Sequence, residues 1–165
     1  FAFDQDRVLD TRTVLLMKRL PKRMLVIGAG VIGVEYACIF AQLGVEVDLT
    51  DRRKELLKFV DREVAEARSY HMWSSGIRLR LGEDVTAIDS GGPQIETELA
   101  SGERLTCDTV LYVQGREAAT ASLGLDRAGL EAGRGGQGEE PEFLFSWYGM
   151  RGCTAAPFFT RAGRT

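Results

Sequence analysis

Met24-Leu25-Val26-Ile27 is a short apolar run with no polar residue between its members. A strand with that pattern is covered on both faces, as the strands of a parallel sheet are. After glycines at 28, 30 and 33, apolar residues return at Val34, Ala37, Cys38, Phe40 and Ala41. Those spacings of three and four predict a helix. Gly44 stands where a helix C-cap belongs, and Val45-Glu46-Val47-Asp48-Leu49 then alternates as a second strand. Strand, glycine turn, helix and strand within about thirty residues make a βαβ unit, whose crossover is right-handed.

Downstream, Asp61 is placed to cap a second helix running to about Ser75, with Glu63 favourable in its first turn. Gly76 ends it. On this helix Tyr70 and Trp73 read as core, and His71, the single histidine, as a packed or solvated helix residue. Ile77, Leu79 and Leu81 alternate with Arg78 and Arg80, a strand with one wet face. Val85-Thr86-Ala87-Ile88, Ile95 to Leu99 and Leu111-Tyr112-Val113 are further strand candidates. The breaks at Gly91-Gly92-Pro93 and Ser101-Gly102-Glu103 read as turns of an antiparallel meander. The expected fold class is therefore α/β: a Rossmann-like parallel sheet with a glycine-turn βαβ unit and an antiparallel β-meander crossover.

The organisation follows from these textures. Residues 1–20 are polar and basic in patches, residues 21–118 carry the strand, turn and helix patterns just described, and residues 119–137 follow them. Residues 138–165 are unassigned. Glycines cluster at 133–138, and Phe143, Phe145, Trp147, Tyr148, Phe158 and Phe159 follow without a period that would bury them on one face.

Composition narrows the function. The chain has 165 residues, 44% hydrophobic and 27% charged, which suits one globular domain with loose ends. Net charge is −3 with acidic and basic residues interleaved, so no basic stripe exists to neutralise a nucleic acid. Cys38, Cys107 and Cys153 form no CxxC pair, which argues for a reducing compartment and against a disulfide framework or metal site. The apolar window from Met24 to Gly44 is long enough for a membrane span. Glu35 near its centre and Gln42 argue against one, because a lone carboxylate is costly in hydrocarbon. No signal peptide is visible, and the expectation is a cytoplasmic protein.

The glycine turn carries the candidate chemistry. Gly28 permits a tight turn off the strand, and Gly30 lets backbone approach a pyrophosphate without a Cβ in the way. Gly33 lets the helix pack close to the strand. The helix start, Val31, Ile32 and Gly33, offers free N–H groups and a positive dipole end to phosphates. Asp51 lies about twenty residues further on, at the end of the second strand, where a carboxylate would accept the ribose hydroxyls of NAD. Arg52 and Arg53 follow, and arginine there can clamp the 2′-phosphate of NADP. Opposing charges of similar strength predict NAD with tolerance of NADP; a solvated surface cluster is the alternative for the arginines. Glu35 sits among apolar neighbours near the path of a bound dinucleotide. If buried it needs a partner, a ligand amide or an amine; a plain surface glutamate is the alternative. No catalytic residue and no metal ligand set is assigned.

Val26-Ile27-Gly28-Ala29-Gly30-Val31-Ile32-Gly33-Val34-Glu35-Tyr36 resembles the NAD(P)-binding segment of the two-dinucleotide flavoprotein reductases, the pyridine nucleotide-disulfide oxidoreductases. Ser69 to Gly76, Gly44 to Leu49 and Leu111 to Arg116 look most like the soluble transhydrogenases of that family. The likeness runs from about Phe1 to Gln137, and implies that residues 1–20 are a linker from a flavin-binding half, residues 21–118 the NAD(P)-binding domain and residues 119–137 the start of a return to the flavin domain. It implies the nucleotide-binding part of an FAD-dependent, homo-oligomeric enzyme that moves hydride between NADPH and NAD. It also implies that Gly28, Gly30 and Gly33 hold the pyrophosphate and that Glu35 lies near the nicotinamide carboxamide. The Asp51–Arg53 corner would meet the adenosine ribose, Val85 would edge the adenine, and Gly115 would close over the nicotinamide end. A dihydrolipoamide dehydrogenase-like disulfide reductase is the alternative enzyme, and a catalytically empty nucleotide-binding fragment the alternative from another class. The chain departs from the family at Gly115-Arg116-Glu117-Ala118-Ala119, where an asparagine is replaced. The flavin fingerprint, the A-x-G-D motif and the dimerisation domain are not found, and the switch past Gln137 reads as a shifted or truncated frame.

Overall fold

A computed structural model of the chain describes residue 4, residues 6–57 and 60–114, and the backbone of residues 130–131 and 160–161. The chain divides into two compact units, residues 1–115 and 116–165. In the second, β9 (Leu130–Glu131) pairs antiparallel with β10 (Thr160–Arg161). The aromatic residues of the tail lie outside the described residues.

The first unit is built on β1 (Val8–Leu9), β2 (Arg23–Ile27), α1 (Val31–Gln42), β3 (Glu46–Asp51), α2 (Arg62–Ser74) and β4 (Arg78–Leu81). β5 (Val85–Asp89), β6 (Ile95–Leu99), β7 (Arg104–Cys107) and β8 (Thr109–Tyr112) complete it. A five-stranded sheet has the order β1-β8-β2-β3-β4, every pair parallel. β5, β6 and β7 form a separate three-stranded antiparallel sheet, inserted between β4 and β8 in the chain. This is the α/β fold the pattern predicted, a parallel Rossmann-like sheet with a meander crossover.

The unbroken apolar run of β2 has a direct cause. Met24 and Val26 pack with Val34, Ala37 and Phe40 of α1 and with Met72 of α2. Leu25 and Ile27, on the opposite face, pack with Val85, Ile95, Leu99 and Cys107 of the meander. Both faces are dry, so alternation has nothing to report. Each fully buried aliphatic side chain of this kind contributes about 1.5–3 kcal/mol.

Four expectations need correction. The third strand of the meander is β7, ahead of Leu111, and the Leu111 strand, β8, lies instead in the parallel sheet between β1 and β2. Tyr70 and Trp73 are not core: they are 69% and 68% exposed, with rings 6.0 Å apart on the outer side of α2. Met72 is the buried residue of that helix, since the face turned to the sheet is narrow. Asp61 occupies the N-cap position of α2, yet its side chain makes no capping hydrogen bond. Glu35 is exposed, because a 100° step from buried Val34 turns it out of the core, so no buried partner is needed. The wet face of β4 is spent on charge pairing: Arg78 and Arg80 both reach Asp48, at 2.8 and 2.9 Å, and Arg80 reaches Glu103 at 2.7 Å.

Candidate functional site

Strand order reverses beside β2. The chain leaves β2 through α1 to β3 on one side, while β8 closes the other side. In open parallel sheets the crevice outside the carboxyl ends of the strands at such a point is where ligands bind. The glycine turn, residues 28–33, fills that position.

The three glycines of the turn are there for different reasons. Gly28 has φ +119°, in the region L side chains avoid, and a Cβ on it would lie 2.8 Å from the Val113 carbonyl oxygen. A Cβ on Gly33 would lie 1.8 Å from the Gly28 carbonyl oxygen, so helix and turn touch backbone to backbone there. Both are demanded by the fold. Gly30 is not: its φ of −78° and ψ of −178° are open to any residue, and a Cβ would meet nothing within 4 Å. Gly30 borders open space at the start of α1.

That helix start carries unspent polarity. Gly30 is the N-cap of α1, no side chain caps the helix, and no acidic residue stands in its first turn. The first backbone bond into the helix is Val34 N–H to the Gly30 carbonyl, at 3.0 Å. The N–H groups of Val31, Ile32 and Gly33 therefore point outward with no helical acceptor. They sit at the positive end of the helix dipole. An anion with two linked phosphates suits this surface, and a bulky or cationic group does not.

The end of β3 holds the turn in place. Gly28 donates to the Thr50 carbonyl at 2.8 Å, and Ala29 N–H donates to Asp51 Oδ2 at 2.7 Å. Asp51 is 2% exposed. Its Oδ1 accepts from the backbone N–H of Arg53 at 2.8 Å and from Arg53 Nε at 2.9 Å, and Arg53 Nη2 donates to Oδ2 at 2.7 Å. Burial pushes the Asp51 carboxyl up. The Arg53 guanidinium and the N–H groups of Ala29 and Arg53 outweigh it, and hold the group below the usual carboxylate range. Arg52 is exposed beside this pair.

Of the other expected site residues, Glu35 lies exposed on the first turns of α1, on the same helix start as the free amides. Val85 heads β5 with its side chain buried in the core at 7% exposure, which leaves that side chain to the meander packing. Gly115 lies outside the described residues. The sequence did not single out Ala29 or Leu57. Ala29 links both corners of the site through Asp51, and Leu57, at φ +49°, donates to the Ala29 carbonyl at 3.4 Å. An alanine inside the glycine motif and a leucine in a loop carry no sequence signal of that kind. A cleft lined by Lys18, Arg19, Lys22, Pro93 and Asp108 lies at the opposite edge, where β2 and β8 begin, away from the glycine turn. Among the described residues no cluster of His, Cys, Asp or Glu is arranged to hold a metal.

The family model described as pyridine nucleotide-disulphide oxidoreductase matches residues 1–144. The chain belongs to that family. It is 47% identical over 134 residues to the soluble pyridine nucleotide transhydrogenase of Mycobacterium bovis, covering 81% of this chain and 29% of that protein. The transhydrogenase of Colwellia psychrerythraea is 44% identical over the same shares. The chain thus spans less than a third of the length of these curated relatives. Among solved structures, the HOCl-induced flavoprotein disulfide reductase RclA of Escherichia coli aligns with TM-score 0.71 and 30% identity, covering 79% of this chain and 30% of that one. LpdA of Mycobacterium tuberculosis aligns with TM-score 0.74 and 25% identity, over 82% of this chain and 30% of its own. No helix among the described residues is long and apolar enough to cross a membrane.

Proposed function

We propose that this chain is the NAD(P)-binding part of an FAD-dependent pyridine nucleotide transhydrogenase, a cytoplasmic homo-oligomer in its full-length form. The observation that carries the nucleotide reading is Gly30. The fold leaves that position free for any side chain, and glycine there keeps open a surface where free helix amides and the sheet's switch point coincide. The likeness to transhydrogenases carries the choice of reaction.

On this reading the pyrophosphate of NAD(H) or NADP(H) lies across Gly28–Gly33, bound by the amides of Val31, Ile32 and Gly33. Glu35 lies toward the nicotinamide carboxamide, and the corner of Arg52 and Arg53, with Asp51 buried behind Arg53, faces the adenosine ribose. Val85 edges the adenine through its backbone, since its side chain is in the core, and Gly115 closes the nicotinamide end. The bound cofactors supply the hydride chemistry, and this chain's residues bind and orient. The chain alone then binds nucleotide weakly and turns nothing over. Titration with NADH and NADPH, followed by a transhydrogenation assay with and without added FAD, tests this. Nucleotide binding without turnover is the expected result, and flavin-dependent turnover by the chain alone would overturn the division of labour. The likeness to RclA favours a disulfide reductase as the second reading. It predicts a redox-active cysteine pair in the full-length protein, whereas Cys38 and Cys107 are free here.

A further inference from the structure

The Asp51 carboxylate has no room for a ribose. A carboxylate offers roughly four lone-pair positions. Four N–H contacts reach Asp51: Ala29 N, Arg53 N, Arg53 Nε and Arg53 Nη2, all within 2.9 Å. With the residue 2% exposed, a sugar hydroxyl finds neither a free acceptor nor a path to one. Arg53 is the opposite case. Its Nε and one Nη2 hydrogen are bound inward, and the rest of its guanidinium edge is open, with the side chain 46% exposed. Because Asp51 Oδ2 takes both Ala29 N–H and Arg53 Nη2, the guanidinium is tied to the glycine turn through that one oxygen.

We propose that Asp51 is a positioning residue: its carboxylate clamps Arg53 against the glycine turn, so that the guanidinium's open edge selects a nucleotide with a phosphate on its adenosine ribose. This rests on the reading of the turn as the pyrophosphate site. The clamp does not cancel the arginine. A phosphate on the open edge would stand roughly 4 Å from the guanidinium centre and roughly 8 Å from the carboxylate behind it, so attraction is about twice the repulsion. A side chain already held also gives up less rotamer freedom when it binds.

The test is calorimetric titration of the whole chain with NADH and NADPH, using wild type, Arg53→Ala, Arg53→Lys and Asp51→Asn, with thermal melting as the check on folding. Arg53→Ala is expected to weaken NADPH roughly tenfold or more and NADH less than about threefold, the effect of losing charge-assisted hydrogen bonds to one phosphate. Arg53→Lys, which cannot fork, restores only part of the loss. Asp51→Asn moves the NADPH to NADH ratio in the same direction as Arg53→Ala; a purely structural role would weaken both nucleotides alike. Strengthened NADPH with weakened NADH in Asp51→Asn would show the carboxylate reading the ribose directly and overturn the proposal. So would an unchanged ratio in Arg53→Ala, which stands even if Asp51→Asn does not fold. If wild type binds neither nucleotide, the pyrophosphate reading fails first and takes this inference with it.

Discussion

Replacing Gly30 and Gly33 by alanine, one at a time, separates a glycine kept for a ligand from one kept for the fold. At Gly30 the new Cβ meets nothing within 4 Å, and φ −78° with ψ −178° suits alanine. Alanine is a poorer N-cap, which costs up to about 1 kcal/mol. Its narrower unfolded ensemble offsets this by about 0.4–1 kcal/mol. Gly30→Ala should therefore melt within about 3 °C of wild type. Its methyl group occupies the space beside the free amides of α1, and losing one charge-assisted hydrogen bond to a phosphate costs roughly 1.5–3 kcal/mol. NADH and NADPH should each bind about ten- to a hundredfold more weakly. Gly33→Ala does the reverse. Its Cβ would fall 1.8 Å from the Gly28 carbonyl oxygen, a backbone atom that cannot swing aside. Overpacking of that kind costs about 1–3 kcal/mol or more, a fall in melting temperature on the order of 5 °C. Differential scanning fluorimetry and calorimetric titration read both effects. A Gly30→Ala protein with unchanged stability and unchanged nucleotide affinity would refute the reasoning, because the open space would then have no phosphate to exclude.

Three further outcomes follow from the same structure. Asp48 and Asp51 are pushed up by burial but held, on balance, below the ordinary carboxylate value of 3.8 by their arginine partners. Their stabilisation is complete above that value and lost as pH falls through the lower folded values. Melting temperature should thus be flat from about pH 5 to 7 and fall below about pH 4, less steeply in Asp48→Asn; an equal slope in the variant would contradict this. Burial pushes the Cys107 thiol up to about 12, so iodoacetamide at pH 8 should label Cys107 only after unfolding, and rapid labelling in the native state would show the meander open. Trp73→Ser should change stability by less than about 0.5 kcal/mol, since the ring is exposed; a larger loss in urea melts would return Trp73 to a packed role.

What the sequence made legible was local. The β2 run, the glycine turn, the spacing of α1 and the turns of the meander each depend on residues a few positions apart. The partners of strands do not. Nothing in Thr109-Val110-Leu111-Tyr112 says that it returns to lie beside β2 rather than continuing the meander, because that pairing is fixed by long-range packing of Val110 and Leu111 on opposite faces. β1 is two residues long and β7 reads Arg-Leu-Thr-Cys, both too short for a period to show. Aromatic residue type placed Tyr70 and Trp73 inside, whereas the direction of the helix face decided for Met72. At the site, the motif located Gly30 and Asp51. Only the geometry shows that Arg53 folds back over two residues and fills the carboxylate. Residue order carries no sign of that turn.

The central claim is that backbone amides at the start of α1 receive a diphosphate. Backbone amide shifts of the labelled chain, followed by NMR as NADH is added, test it most directly. The largest shifts should fall on Gly30, Val31, Ile32 and Gly33, with smaller ones around Asp51 to Arg53. Saturable binding whose shifts gather at the opposite edge, around Lys18, Lys22 and Asp108, would contradict it.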